Sequence, residues 1–157
     1  MTELFGSTRA HIGVRHALIT PANHVSSSVP GITGATATVL INAAMGAGFA
    51  QTLVTFQKGG TITQRADDMQ AFGYFMNGSA AVTIGSDKEK AVAGHYFYAP
   101  AGEAWSLSAP KPGTQLMLFQ KKYVALDGVS APQEIFGESA NVKARRARSR
   151  ATIPAVR

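Results

Sequence analysis

The sequence predicts an all-β protein, built as a sandwich or a barrel. Short segments rich in apolar, β-branched and aromatic residues recur about every ten residues, and a turn containing glycine or proline follows each of them. No segment keeps the apolar period of about 3.6 residues that an amphipathic helix shows. The chain has 157 residues, of which 45% are hydrophobic and 15% charged, and this composition suits one folded domain.

The predicted strands follow one another along the middle of the chain. Alternating or β-branched residues mark the first two, at residues 35–41 and 49–57. Residues 72–76 and 80–84 flank Asn77-Gly78, a dipeptide that favours tight hairpin turns, so we expect these two strands to pair with each other. Shorter strands are predicted at residues 91–93, 95–98, 105–107 and 116–119.

Positive charge is concentrated at the C-terminus. Residues 1–142 hold nine basic and nine acidic side chains, whereas residues 143–157 hold six basic and no acidic ones. A block of like charge cannot bury a core, so a disordered basic tail is expected there. The absence of cysteine excludes disulfides and cysteine-ligated metals. The first residues show no basic segment followed by an apolar stretch, so no secretory leader is expected. No apolar run approaches 18 residues, and we therefore expect a cytoplasmic protein.

Residues 59–78 have the spacing of the first motif of the cupin family, G-x5-H-x-H-x3-E-x6-G. Gly59 and Gly78 stand at the two ends of this motif. Arg65 and Asp67 occupy the two histidine positions, and Ala71 occupies the glutamate position. The resemblance therefore lies in the glycines that shape the turns and not in the metal ligands.

Residues 94–109 have the spacing of the second cupin motif, G-x5-P-x-G-x2-H-x3-N. Gly94, Pro100 and Gly102 fall at their places, where the backbone needs a positive φ at glycine and a fixed φ at proline. Trp105 replaces the histidine and Ala109 replaces the asparagine. The chain thus resembles a cupin, which implies a single double-stranded β-helix barrel of the jelly-roll type.

None of the four metal-ligand positions of the cupin motifs carries its usual ligand. Ala71 and Trp105 offer no ligand atom, Arg65 would set a cation against a cation, and Asp67 alone cannot hold a divalent ion. We therefore expect neither a metal nor another cofactor in this chain. The interior is expected to be filled by side chains or to form a small pocket. The candidate pocket residues are Arg65, Asp67, Ala71 and Trp105, and no residue is a catalytic candidate.

A second resemblance starts at the opening of the chain. Six segments are similar to the first half of the (S)-ureidoglycine aminohydrolase family, which are two-cupin enzymes of allantoin catabolism. These segments are residues 5–9 (FGSTR), 15–21 (RHALITP), 24–25 (HV), 30–31 (PG), 45–49 (MGAGF) and 118–124 (LFQKKYV). The resemblance covers roughly residues 5–130.

The second resemblance implies a hydrolase family that converts (S)-ureidoglycine into (S)-ureidoglycolate and ammonia, with a manganese ion held in the second barrel. The first barrel of the family has lost its metal ligands, as at the four positions described above. No catalytic residue of the family has a matching position in this chain. The resemblance therefore implies the non-catalytic, metal-free half, acting as a scaffold, and leaves open whether this chain is an enzyme.

Arg65 and Asp67 lie two residues apart on a predicted strand and would face one side of it. That side is either the barrel interior, where they would bind a polar ligand, or the rim, where they would be a solvated pair of little value. Trp105 is expected to plug the core rather than to stack on a ligand. Six aromatic residues are expected to form the core and a face for another barrel: Phe72, Tyr74, Phe75, Tyr96, Phe97 and Tyr98.

The expected organisation has three parts. Residues 1–30 form an N-terminal arm packed on the barrel, residues 31–130 form the cupin barrel, and residues 131–157 form a linker and the basic tail. As partners we expect further copies of the chain, joined through edge sheets of the barrel, or a second cupin half, and neither a membrane nor nucleic acid. Two alternative functions remain open: a stand-alone metal-free cupin that binds a small molecule, and a nucleic-acid-associated protein acting through its tail.

Overall fold

The structure, a computed structural model, describes residues 11–13 and 16–143. The segment FGSTR at residues 5–9 and the tail from residue 144 lie outside the described residues, so the expected disorder of the tail stays a prediction. Within the described part, no helix has the length and apolar character needed to cross a membrane. Three 3₁₀ turns are present there, at Pro21–Asn23, Ala43–Met45 and Ser139–Asn141.

Twelve strands lie within the described residues. They are β1 (His11–Ile12), β2 (Ala17–Leu18), β3 (Ser26–Ser27), β4 (Ile32–Ile41), β5 (Ala50–Gln64), β6 (Met69–Asn77), β7 (Ser79–Ile84), β8 (Asp87–Val92), β9 (His95–Ala99), β10 (Trp105–Ala109), β11 (Gln115–Lys122) and β12 (Ile135–Glu138).

Strands β3 to β12 form one antiparallel sheet that folds into a nearly closed barrel. The strand order is β12-β9-β6-β11-β5-β10-β7-β8, with β4 beside β5 and β3 beside β4. Strands β1 and β2 pair with each other in a separate ribbon. The all-β barrel predicted from the spacing of strands and turns is confirmed.

Strand β5 joins the two halves of the barrel. Its residues 50–55 pair with β11, and its residues 60–64 pair with β10. At the bend between these two stretches, Gly60 lies against Gly34 of β4 so closely that a side chain on Gly60 would overlap the carbonyl oxygen of Gly34. The close approach of these paired strands therefore requires glycine at position 60.

The predicted hairpin across Gly78 is wrong. Strands β6 and β7 meet at Gly78, but β6 hydrogen-bonds to β9 and β11, whereas β7 hydrogen-bonds to β8 and β10. Gly78 has a φ of 78° and carries the chain from one side of the barrel to the other. The fully buried Thr114 stabilises this crossing, because its Oγ1 accepts a hydrogen bond from the Ser79 amide (3.3 Å) and donates one to the Ser79 carbonyl (3.2 Å).

Alternation along β6 separates the core from the outer surface. Ala71, Gly73 and Phe75 are buried inside the barrel, whereas Phe72 and Tyr74 are on the outer face. The Phe97 ring lies over Gly73, directly across the β6–β9 pair, where a side chain would overlap it. The largest fully buried side chains are Phe56, Phe75, Phe97, Leu107, Leu116 and Leu118.

The six aromatic residues singled out in the sequence therefore belong to two surfaces. Two of them, Phe75 and Phe97, pack together in the core with ring centroids 6.3 Å apart. The other four occupy the outer face of β6 and β9, since residues directly opposite each other in an antiparallel pair share a face.

Strand β12 comes from the segment that the sequence assigned to a linker and tail. It pairs with β9, with Ile135 opposite Tyr98 and Glu138 opposite His95. Phe136 packs against the core from this strand. The sheet therefore extends beyond residue 130, where we expected the barrel to end.

Candidate functional site

The four positions that correspond to cupin metal ligands fall into two environments. Ala71 and Trp105 lie on the inner face of the barrel, with 2% and 3% of their surface exposed. Arg65 and Asp67 are exposed in the turn between β5 and β6, because β5 ends at Gln64 instead of continuing through them as expected. Among the described cavities, Ala71 lines one and the other three residues line none. Within the described residues, Arg65 and Asp67 form no ion pair.

Hydrogen bonds of Asp67 link the turn between β5 and β6 to the turn between β9 and β10. Its Oδ1 accepts a hydrogen bond from the Met69 amide (2.8 Å), and its Oδ2 accepts one from Gln64 Nε2 (2.6 Å). Its backbone carbonyl accepts a third from the Gly102 amide (2.7 Å). Because Gly102 lies between β9 and β10, these bonds fix the β5–β6 turn against the β9–β10 turn.

Two glutamines that the sequence reasoning missed complete the inner surface at this end. Gln64 lies directly opposite Trp105 across the β5–β10 pair, and Gln120 lies directly opposite Ala71 across the β6–β11 pair. Each glutamine therefore shares the inward face of its partner. The amide Nε2 of Gln120 donates to Oε1 of Gln64 over 3.5 Å, which links the two side chains.

Trp105 packs deep in the barrel but leaves one polar atom without a partner. Its ring centroid lies 5.3 Å from that of Phe97, at an interplanar angle of 52°. Its indole Nε1 is buried and has no hydrogen-bond partner among the described residues. Buried donors nearly always have a partner, so this atom marks a place where the barrel interior lacks an acceptor.

Manganese does not fit the residues at this end of the barrel. The methyl group of Ala71 and the indole N–H of Trp105 supply no lone pair. The remaining donors, Gln64 and Gln120, offer only neutral amide oxygens, whereas Mn²⁺ sites use carboxylate oxygens and imidazole nitrogens. Among the residues that the structure describes, no three histidine, cysteine, aspartate or glutamate side chains form a group that could hold a metal ion.

The outer face of the same half of the barrel carries a row of aromatic rings. The centroid distances are 6.3 Å from Phe49 to Phe119, 6.1 Å from Phe119 to Phe72 and 5.8 Å from Phe72 to Tyr96. Phe49 and Phe72 are 40% and 36% exposed. We call these four residues the outer aromatic row.

A cavity of about 280 Å³ lies beside the outer aromatic row and is lined in part by Phe72, Phe119 and Tyr98. The Tyr98 hydroxyl donates a hydrogen bond to Gln70 Oε1 (2.9 Å). Burial, and to a smaller extent the nearby Tyr123 phenol, raises the pKa of Tyr98 above 10.0. The phenol therefore keeps its proton, and its hydrogen bond, at neutral pH.

No family model matches the chain. It is 27% identical over 130 residues to the (S)-ureidoglycine aminohydrolase of Escherichia coli (strain K12), and 28% identical over 124 residues to that of Arabidopsis thaliana. The chain resembles the (S)-ureidoglycine aminohydrolases. The two matches cover 81% and 78% of this chain, but only 49% and 41% of the aminohydrolases. The chain therefore spans about half the length of the curated relatives it matches.

Solved structures show the same barrel. The crystal structure of protein Ylba from E. coli superposes with a TM-score of 0.81 and 24% identity, over 87% of this chain and 58% of that one. The cupin domain of Schizosaccharomyces pombe Cnp3 superposes with a TM-score of 0.52 and 15% identity, over 58% of this chain and 66% of that one. The cupin fold predicted from the spacing of glycines and proline is confirmed, and so is the resemblance to the aminohydrolases.

Proposed function

We propose that this chain is the metal-free, non-catalytic barrel of an (S)-ureidoglycine aminohydrolase-like protein, and that it acts as a scaffold for a second cupin barrel. One observation carries the proposal. The chain is similar to the E. coli aminohydrolase over 81% of its length, yet two of its four metal-ligand positions hold the buried Ala71 and Trp105 and the other two lie in an exposed turn.

The chemistry of the proposed reaction supports a non-catalytic role. Release of ammonia from ureidoglycine needs an activated water and a group that transfers protons at the reacting carbon and nitrogen. The inward polar side chains at this end of the barrel are Gln64, Gln120 and Trp105. None of the three titrates near neutral pH, so the proposal assigns the acid, the base and the metal to a different barrel.

The outer aromatic row supports the scaffold role. Large apolar side chains that remain exposed in a contiguous patch favour contact with another protein surface. Phe49 and Phe72 are such side chains, and Ile135 at the edge of the same face is 48% exposed. The partner proposed for this face is a second cupin barrel, either another copy of this chain or a manganese-binding one.

The metal part of the proposal is tested on the purified chain. The protein is incubated with MnCl₂, freed of unbound metal and analysed for manganese, and ammonia release from freshly prepared (S)-ureidoglycine is measured in parallel. We expect manganese far below one equivalent and ammonia at the rate seen without protein. One bound manganese per chain, together with manganese-dependent ammonia release, would contradict the proposal.

The assembly part is tested with a charged substitution in the outer aromatic row. Phe72→Lys places an ammonium group on the proposed contact face and is expected to shift the mass measured by light scattering from the assembled to the monomeric form. Val92→Lys on β8 is the matched control, since Val92 is 38% exposed and lies outside the row. A Phe72→Lys chain that assembles as the wild type does would contradict the proposed contact face. A wild-type chain that is monomeric at every concentration would exclude another copy of this chain as the partner.

A further inference from the structure

The cavity beside the outer aromatic row has an apolar wall that a small ring could cover. Phe49, Phe119 and Phe72 form this wall, with successive ring centroids 6.3 and 6.1 Å apart. Phe49 is 40% exposed and Phe72 is 36% exposed. The volume of about 280 Å³ lies just below the usual range of about 300–1,000 Å³ for ligand pockets, so it suits a molecule with a single ring. A flat aromatic ring laid against these side chains would remove apolar surface from water.

The polar side chains of the same cavity supply hydrogen-bond donors and a positive charge. Lys121 of β11 lies directly opposite Gln70 of β6, so the two side chains share the outer face. The Tyr98 hydroxyl donates to Oε1 of Gln70, which fixes the Gln70 amide and leaves its Nε2 as a donor for a ligand. Among the described residues that line the cavity, none is acidic. The cavity therefore offers an ammonium group and an amide donor to an anion.

We propose that this cavity binds a small aromatic carboxylate, with its ring against the three phenylalanines and its carboxylate at Lys121 and Gln70. A carboxylate accepts hydrogen bonds from both of these donors, and its charge is opposite to that of Lys121. Burial raises the pKa of Tyr98, so this phenol adds no negative charge to the cavity at neutral pH. The site lies on the outer face of this chain, so it requires neither a second barrel nor a metal.

The experiment titrates the full chain with benzoate, benzamide and acetate, and follows each ligand by saturation-transfer NMR. Benzamide keeps the ring and removes the charge, whereas acetate keeps the charge and removes the ring. We expect saturable binding of benzoate, about fivefold tighter than that of either other ligand. Benzamide or acetate binding as tightly as benzoate would overturn the proposal, and so would the absence of saturable benzoate binding. Ligand binding and assembly are measured separately, by NMR and by light scattering, so either can fail without the other.

A substitution at Lys121 tests the charged contact. Lys121→Met is expected to weaken benzoate binding about fivefold and to leave benzamide binding unchanged. Lys122→Met is the matched control, because the Lys122 ammonium pairs with Asp68 (2.7 Å) and does not line the cavity. Benzoate affinity that is unchanged in Lys121→Met, or lowered equally in the two variants, would overturn the proposal.

A substitution at Phe49 tests the apolar contact. Phe49 precedes β5 and is 40% exposed, so its truncation should leave the fold intact. Phe49→Ala is expected to weaken the binding of benzoate and benzamide alike, by about fivefold. Leu126→Ala is the control, since Leu126 is 67% exposed in a loop and does not line the cavity. Unchanged benzoate affinity in Phe49→Ala would overturn the proposed position of the ring.

Discussion

The Trp105→Ala substitution tests whether the indole of Trp105 fills the barrel interior or only lies at its rim. The structure buries the indole almost completely and packs it 5.3 Å from the Phe97 ring. Alanine would remove that packing and leave a cavity inside the barrel, next to the first residue of β10. Because the neighbouring strands are held by ladder bonds on both sides, they can close only part of that space.

The expected cost follows from two opposing contributions. Truncation of a buried tryptophan to alanine costs about 3–5 kcal/mol. Removal of the unpartnered buried N–H donor offsets about 1 kcal/mol of this destabilisation. The free energy of unfolding should therefore fall by about 2–4 kcal/mol. In a chain of 157 residues, a loss of that size lowers the melting temperature by about 5–15 °C.

The assay is urea unfolding followed by far-ultraviolet circular dichroism, since the variant no longer contains the tryptophan of the wild-type chain. Ile135→Ala is the control, because Ile135 is 48% exposed and its truncation should change the free energy of unfolding by about 0.5 kcal/mol or less. A loss below about 1 kcal/mol in Trp105→Ala would refute the view that the indole plugs the core.

Two further predictions concern the core and the outer face. Gly73→Ala is expected to destabilise the fold by about 1–3 kcal/mol, because its methyl group would overlap the Phe97 ring. Gly48→Ala, whose methyl group would meet no atom within 4 Å, should have almost no effect in the same urea titration, and equal effects of the two would contradict the packing. Since the pKa of Tyr98 is raised in the folded chain, its contribution to stability is fully present below pH 10.0 and is lost as the pH rises through the folded-state pKa. Tyr98→Phe should therefore flatten the alkaline loss of stability, and an ultraviolet titration in which the Tyr98 phenol ionises below pH 10.0 would contradict this.

The frame of the barrel could be predicted because turns constrain the sequence locally. The four glycines that matched the cupin motifs, Gly59, Gly78, Gly94 and Gly102, all have φ between 74° and 89°. L-residues with a side chain rarely adopt that conformation, so their spacing carries information about the backbone. The pairing partner of each strand could not be predicted from the local sequence in this way. Asn77-Gly78 marks a turn in the sequence, but tertiary packing decides that β6 and β7 belong to opposite sides of the barrel.

The candidate pocket could be predicted only in part, because motif spacing does not show where a strand ends. The motif put Arg65 and Asp67 on a strand and left open whether they face the interior or the rim, but β5 stops at Gln64 and both residues follow in the exposed turn. The alternation of apolar residues along each strand predicts the inward positions better than the motif spacing does. Ile62 and Gln64 have the same parity on β5, as Leu118 and Gln120 have on β11, so extending the buried face by two residues predicts both missed glutamines.

The two faces of β6 allow assembly and core packing to be tested by different substitutions. Inward-facing Ala71 lies opposite Gln120, whereas outward-facing Phe72, the next residue, belongs to the outer aromatic row. Because neighbouring residues of a strand point to opposite sides, a charge at position 72 changes the contact face without entering the barrel. Phe72→Lys should therefore abolish assembly with little loss of folding stability, whereas Trp105→Ala should lower the free energy of unfolding by about 2–4 kcal/mol and leave assembly intact. If Phe72→Lys unfolded the chain, the Phe72 ring would belong to the packing that holds the fold together, and the loss of assembly could not be assigned to a contact face.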